Sequence, residues 1–411
     1  MKKLKPIFMI SLLLLIYVYV CSIASIPSNY VLFQEEKLNV KTLFGVSLQK
    51  KENNKPEIMQ ASANFSGQIE TLEKEEYQVS LFDKIPVKNV SVNVIPKTKV
   101  VPVGASVGLK LYTNGVLVVG MSEIENIQKE KDKPYENTGI KEGDMIVALN
   151  KKEITCTADL VQTVNSSQGE EISVEYVREG NKYETNIKPS KTVNNEYKLG
   201  LWVRDAAAGV GTISFYEPNT GMYGALGHGI IDVDTEELIT IAKGELVTTN
   251  IIDVVKGEKG KAGEIRGSIH NQKKVGQVYK NTAFGIYGKM ENLTSLNINS
   301  ANAIEVATRD EIKEGPAKII CTLENNKTEE YEIEIQKIMK NNNTNNKSMI
   351  LKVTDSRLLE KTGGIVQGMS GSPIIQNGKF CGAVTHVLVN DPTSGYGVFA
   401  DLMLKQIREA N

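Results

Sequence analysis

Apolar and polar positions alternate along most of this chain with a period of two, in short runs set apart by Gly, Asn and Pro turns. Residues 106–111 and 116–120 read as two strands joined by a hairpin turn at Asn114-Gly115. The pattern continues in residues 172–177, 209–216 and 222–229, then in 237–241, 245–255, 274–287, 317–322, 329–338 and 348–353. Many short strands at this spacing predict a sandwich or a pair of barrels. Two stretches depart from it. Residues 157–164 carry Leu160, Val161 and Val164 at helical spacing behind a threonine cap. Residues 6–26 hold no charged side chain and are apolar all round, as in a helix that crosses a bilayer. Residues 50–57, 128–137 and 341–346 are polar and turn-forming, and read as a linker and two surface loops.

Composition sharpens this reading. The 411 residues suit two or three domains rather than one core. A formal net charge of −1 argues against nucleic acid as a main partner, and 34 glycines against one tryptophan favour a β-rich fold. The basic start, Met1-Lys2-Lys3-Leu4-Lys5, predicts that the N-terminus stays in the cytoplasm and that the rest is exported. The apolar stretch is then either a retained anchor or a signal peptide cut near Ser22-Ile23-Ala24. Of four cysteines, Cys21 lies in that stretch; Cys156, Cys321 and Cys381 are an odd number without a CxxC pair. They predict free buried thiols rather than a disulfide framework or a structural zinc site, and no metal or other cofactor is expected.

One stretch has the makings of a catalytic turn. In Gly368-Met369-Ser370-Gly371-Ser372-Pro373 a serine sits between glycines that permit a tight bend, followed by a proline. Such a bend exposes the hydroxyl and turns successive N–H groups toward one point, where an oxyanion would develop. Ser372, beside Pro373, lacks glycines on both sides and is the weaker nucleophile. A serine needs a base within hydrogen-bond reach, and the chain has only three histidines: His228, His270 and His386. His228 follows an apolar run between glycines, and His386 stands in the apolar stretch Val384-Thr385-His386-Val387. His270 lies among polar and basic residues and reads as a surface group.

Residues 101–191 resemble a PDZ domain of the bacterial kind, through Gly139-x-x-x-Gly143-Asp144-x-Ile146 and the order of strands and helix. The resemblance implies a peptide groove between the strand after Val107-Gly108-Leu109 and the helix around residues 159–164, with Gly108, Leu109, Leu160 and Val164 in its walls. A peptide would join there as an added strand. The serine turn resembles that of chymotrypsin-like serine peptidases, and Gly378-Lys379-Phe380-Cys381-Gly382-Ala383-Val384-Thr385-His386 resembles the strand lining their specificity pocket. His386 is accordingly either a packed strand histidine or a pocket residue.

Trp202-Val203-Arg204-Asp205, Phe215-Tyr216-Glu217-Pro218, Gly224-Ala225-Leu226-Gly227-His228, the serine turn and Val389-Asn390-Asp391-Pro392 carry a wider similarity. With them, nearly everything after the linker is similar to the stage IV sporulation protein B peptidases of endospore-forming bacteria. That resemblance implies a mainly β chain. It has a membrane segment (1–26), a linker and N-terminal region (27–100), a PDZ domain (101–191) and a chymotrypsin-like double β-barrel serine peptidase domain (192–411). It also implies export across the forespore membrane into the intermembrane space, with membrane anchoring until cleavage. Substrates would be its own chain and a membrane-associated sporulation protein, leading to activation of the late mother-cell sigma factor. Ser370 would attack, His228 would carry the proton, and the N–H groups of Gly368 and Ser370 would form the oxyanion hole. Family correspondence makes Asp355 the acid, whereas the order usual in double barrels, with the acid in the first barrel, points to Asp253 or Asp310. The alternative is a PDZ scaffold whose peptidase-like domain only binds.

Overall fold

The computed structural model describes residues 4–24, 26–34, 46–50, 58–59, 73–82, 84–269, 272–324, 327–340 and 345–408. His270, most of the 50–57 linker and residues 341–344 lie outside that set. The apolar start forms a helix over Leu4–Ala24. The side chains of residues 4–8, 10 and 12 are not among those described, and among the described residues no helix is long and apolar enough to cross a membrane. The next segment is more than a linker. Asn29–Phe33 runs parallel to Ile85–Ile95, which pairs with Glu73–Leu81, and this strand in turn with Val46–Lys50. Tyr77, Val79, Val90 and Val92 fill the small core of that sheet.

The alternating runs resolve into two barrels. In barrel one, Ser106–Met121 pairs with Ile241–Thr248, then Lys274–Thr282, Gly285–Met290, Met222–Ala225 and Leu201–Glu217, which returns to Ser106–Met121 and closes a ring of six. In barrel two the closed order is Gly315–Glu324, Lys327–Ile338, Met349–Val353, Ser394–Phe399, Lys379–Val387 and Pro373–Gln376. Its strands show the period of two directly: along Lys327–Ile338, Tyr331, Ile333 and Ile335 point into the core while Glu330, Glu332 and Glu334 face water. Each such isoleucine removed from water contributes about 2 kcal/mol. The C-terminal helix Ala400–Arg408 joins the barrels, burying Leu402, Leu404 and Ile407 and pairing Arg408 with the buried Glu217 of barrel one.

The Asn114-Gly115 hairpin expected from sequence does not form. Ser106–Met121 is one strand of 16 residues, bent where Gly115 takes φ +125°, because Leu201–Glu217 pairs alongside it from Ser106 to Met121. The two strands leave barrel one together, and the chain between them, from Ser122 to Gly200, builds the PDZ unit on their far ends. Val116, Val118, Ile146, Leu149, Ile172 and Val174 form its core under the helix Thr157–Ser166. The units are therefore nested: barrel one opens, the PDZ unit is inserted, and barrel one closes. A boundary that runs through the middle of two strands leaves no mark on an alternating pattern.

Candidate active site

The serine turn forms at the seam of the barrels. The short helix Ser356–Thr362 ends at Gly363, in the left-handed conformation at φ +73°, and the chain then crosses to barrel one. The N–H of Gln367 donates to Gly263 and its carbonyl accepts from Ile265, each at 2.8 Å, tying the approach to the hairpin of Asn250–Val255 and Glu264–Ser268. Thr212 of Leu201–Glu217 then grips the turn from below. Its N–H donates to the carbonyl of Ser370 at 3.1 Å, and its hydroxyl to that of Gly368 at 2.8 Å. Gly371, at φ +99°, cannot be replaced, because a Cβ there would lie 2.0 Å from the carbonyl oxygen of Thr212. With those carbonyls engaged, the N–H groups of Gly368 and Ser370 have no acceptor among the described residues, as an oxyanion hole requires.

His228 comes from barrel one. Met222–Ala225 ends in two successive left-handed residues, Leu226 at φ +67° and Gly227 at φ +70°. This reversal presses Gly227 against Thr385 and Val398 of barrel two and carries the imidazole into the seam. Nδ1 lies 2.8 Å from the carbonyl oxygen of Gly229. A carbonyl only accepts, so Nδ1 carries the proton and Nε2 keeps the lone pair a general base needs. Burial lowers the His228 pKa, partly offset by the bond to Gly229, so the ring is neutral at pH 7.

His386, on Lys379–Val387, faces His228 with ring centroids 4.9 Å apart and planes inclined by 34°. Its Nδ1 is buried without a partner among the described residues. Burial, then the neighbouring His228 and Lys347, push its pKa down to about 4. The Ser370 hydroxyl donates to the carbonyl of Thr385 at 2.6 Å, so in this resting state it points at that strand rather than at His228. Ser370, Gly368, His228 and His386 all line one cavity of about 490 Å³, with apolar walls from Leu109, Val210, Ile230 and Ile365. Ser372 is fully buried and donates to the carbonyl of Met369 at 2.7 Å, which removes it as a nucleophile.

Among the described residues, no carboxylate lines this cavity. Asp355 is placed elsewhere, as the N-cap of Ser356–Thr362. Its oxygens accept from the N–H groups of Arg357, Leu358 and Glu332 and from the Arg357 guanidinium at 2.9 Å. Those bonds, led by Arg357, hold its pKa below the usual range against the opposing effect of burial. These bonds engage both oxygens of Asp355, and among the described residues no hydrogen bond joins it to His228. Asp253 and Asp310 do no better. The first is exposed on the seam hairpin, and the second is exposed and paired with Lys340 at 2.7 Å.

A profile of the family described as SpoIVB peptidase S55 matches residues 195–404, half of the chain. The chain belongs to the SpoIVB peptidase S55 family. As an S55 peptidase it is a serine endopeptidase of sporulation, acting on peptide or protein substrates. A PDZ-domain profile matches residues 107–188. Among solved structures, the PDZ domain of the SdrC-like protein from Listeria monocytogenes is 15% identical over 22% of this chain and 87% of its own, with a TM-score of 0.18. The HtrA-type protease AlgW with a decapeptide is 10% identical over 50% of this chain, with a TM-score of 0.30; the match spans 54% of the length of that protease.

In this S55 peptidase the PDZ groove differs from the expected one on its strand side. Leu160 and Val164 do line a groove of about 670 Å³, but the strand opposite them is residues 201–203, not the one at Gly108 and Leu109. Leu109 is buried in barrel one and lines the catalytic cavity, and a Cβ on Gly108 would strike Ile269 at 2.3 Å. Those two residues precede the point where the long strand leaves the barrel. The threonine cap is also replaced: Cys156 stands at the N-cap without a side-chain bond, and Asp205 accepts the Thr157 N–H instead, at 2.7 Å. Cys321 and Cys381 are buried free thiols, with pKa values pushed up by burial to about 12, and Cys156 is half-buried. Sequence reasoning missed Thr212, which holds the serine turn, and Asn281, Arg204 and Asp232, whose side-chain bonds hold the loop that follows His228. Only Asn281 carried a local signal, as an asparagine inside a strand-forming run.

Proposed function

We propose that this chain is an exported, membrane-tethered serine endopeptidase in which Ser370 attacks and His228 moves the proton. In that reading its substrates are its own chain and a membrane-associated signalling partner during endospore formation, in the space between the spore membranes, with activation of the late mother-cell sigma factor as the outcome. The observation that carries the catalytic part is the meeting of Ser370, His228 and two acceptor-free N–H groups in one cavity between barrels. Support for the tether is the charge-free run of residues 6–26 behind a basic start.

The chemistry follows from those positions. Rotation about χ1 releases the Ser370 hydroxyl from Thr385 and turns it toward Nε2 of His228, which removes the proton as Oγ bonds to the substrate carbonyl carbon. The oxyanion forms against the N–H groups of Gly368 and Ser370. Imidazolium then returns the proton to the departing amine, leaving an acyl-enzyme that water hydrolyses by the same steps in reverse. The Gly229 carbonyl accepts from Nδ1 and so helps to stabilise the positive charge on His228.

A fluorophosphonate, which bonds only to an activated serine, tests this. The parent chain is expected to label at Ser370 and to cleave itself, and Ser370→Ala to do neither. Self-cleavage by Ser370→Ala at the parent rate would remove the assignment, and an unlabelled parent would leave a binding scaffold.

A further inference from the structure

Four consecutive residues, 202–205, touch three working parts at once. Trp202 and Val203 line the PDZ groove, where the outer edge of the strand has no strand partner among the described residues. Asp205 holds the N-terminus of the groove helix through Thr157. Arg204, between them, reaches into the loop that follows the catalytic histidine. Its Nη1 lies 2.5 Å from Asp232 and its Nη2 lies 2.8 Å from Asp234.

That loop runs from Ile230 to Ile239 and begins two residues after His228. Asn281 fastens its base, taking the N–H of Ile230 and donating to the carbonyls of Ile230 and Ile239 at 2.7 and 2.9 Å. Asp232 shapes its tip: one carboxylate oxygen accepts from the N–H groups of Asp234 and Thr235, and the other meets Arg204. The Asp232 side chain is only 1% exposed. Without Arg204 it would be a buried charge short of its counter-ion, which a loop relieves by moving. A shift of about 1 Å at a catalytic base is enough to slow chemistry about 100-fold. Gly229, whose carbonyl fixes the His228 tautomer, lies between base and loop.

We infer that Arg204 is a positioning residue for His228, and that residues 202–205 couple the placement of the groove helix to that of the catalytic base. The inference rests on the reading of His228 as the base. It gives the PDZ unit a mechanical route to the chemistry: a peptide added at the free edge of residues 201–203 settles the same segment that holds the histidine loop.

The rate of fluorophosphonate labelling of the full chain reads the placement of His228 without requiring the natural substrate. Arg204→Ala is expected to label about 10- to 100-fold more slowly at pH 7, and Arg204→Lys to recover most of that loss. The acid limb of labelling against pH should also rise in Arg204→Ala, because a released loop lets water reach His228. The titratable groups facing that ring, His386 with Lys347 behind it, are unchanged by the substitution. Asp205→Ala should slow labelling at least about 3-fold alone and add nothing in the Arg204→Ala background, since both act through one segment. Parent-like labelling and an unshifted pH limb in Arg204→Ala would overturn the positioning role. Independent, multiplying effects of the two substitutions, or none from Asp205→Ala, would overturn the coupling. If Arg204→Ala does not melt cooperatively, Asp234→Asn, which removes only the outer arm of the fork, is expected to slow labelling about 3-fold, and parent-like labelling there counts against the role. A parent chain that fails to label would instead overturn the reading of His228 as the base, leaving the two failures distinguishable.

Discussion

Barrel one and barrel two contain six strands each, but they are assembled differently. Barrel two is built from one continuous stretch, Gly315 to Phe399, interrupted only by its own connections, the longest of which carries the helix Ser356–Thr362 and the serine turn. Barrel one pairs Ser106–Met121 with Leu201–Glu217 across the whole PDZ unit. Closing it means joining strands about 80 residues apart before their contacts repay the loop entropy. Barrel two carries the serine on a turn defined by its own glycines. Barrel one carries the histidine on a loop held from outside, by Asn281 below and Arg204 at the tip. Both are also held through space: Thr212 of barrel one grips the serine turn, as Asn281 and Arg204 hold the loop after His228.

The comparison can be broken at several points. Removing the contribution of barrel one, by His228→Ala, should cost about 10³- to 10⁴-fold in kcat, against about 10-fold or less for His386→Ala. Comparable losses would make the two histidines equal partners. At the seam, Gly371→Ala should destabilise the fold by about 2–4 kcal/mol in denaturant unfolding, because its Cβ meets the Thr212 carbonyl. Gly378→Ala, at φ +74° but in open space, should cost about 1 kcal/mol; equal costs would mean that the seam yields. Within barrel two, Asp355→Asn should lower stability by about 1–2 kcal/mol as a weakened cap while kcat stays within about 3-fold. A thousandfold fall in kcat at unchanged melting temperature would return Asp355 to the catalytic machinery.

The smallest effect concerns pH. His386 has a value of about 4 in the fold against an ordinary 6.5, so the unfolded chain takes up its proton first as pH falls. The stability this contributes is complete above pH 6.5 and is lost as pH falls toward about 4. His386→Phe should flatten that part of the stability curve; an unchanged slope would place the titration in another group. For the same reason, catalysis should hold below the ordinary histidine range, because burial lowers the His228 value and its base form persists to lower pH.

Much of the site was legible where chemistry and backbone requirement coincide. Ser370 was legible as a candidate because the turn around it needs glycines, and Gly368 and Gly371 take φ +94° and φ +99°. His228 could be found because so few histidines were available. An aspartate two residues before an arginine reads alike as a catalytic acid or as a helix cap, and the cap role of Asp355 became visible only through its five bonds. Gly108 and Leu109 misled because alternation continues unbroken where a strand passes from one unit into another.

By itself the sequence determined the strand period, the tight serine turn, the PDZ helix with Leu160 and Val164 on one face, and the histidines available as bases. These follow from steric and periodic rules that act over a few residues. The tertiary structure alone decided that the PDZ unit interrupts a barrel, that Nδ1 of His228 meets the Gly229 carbonyl, and that Arg204 and Asn281 hold the loop beside it. Those outcomes depend on which strands meet across long stretches of chain, where burial and ion pairing act through space and leave no periodic trace.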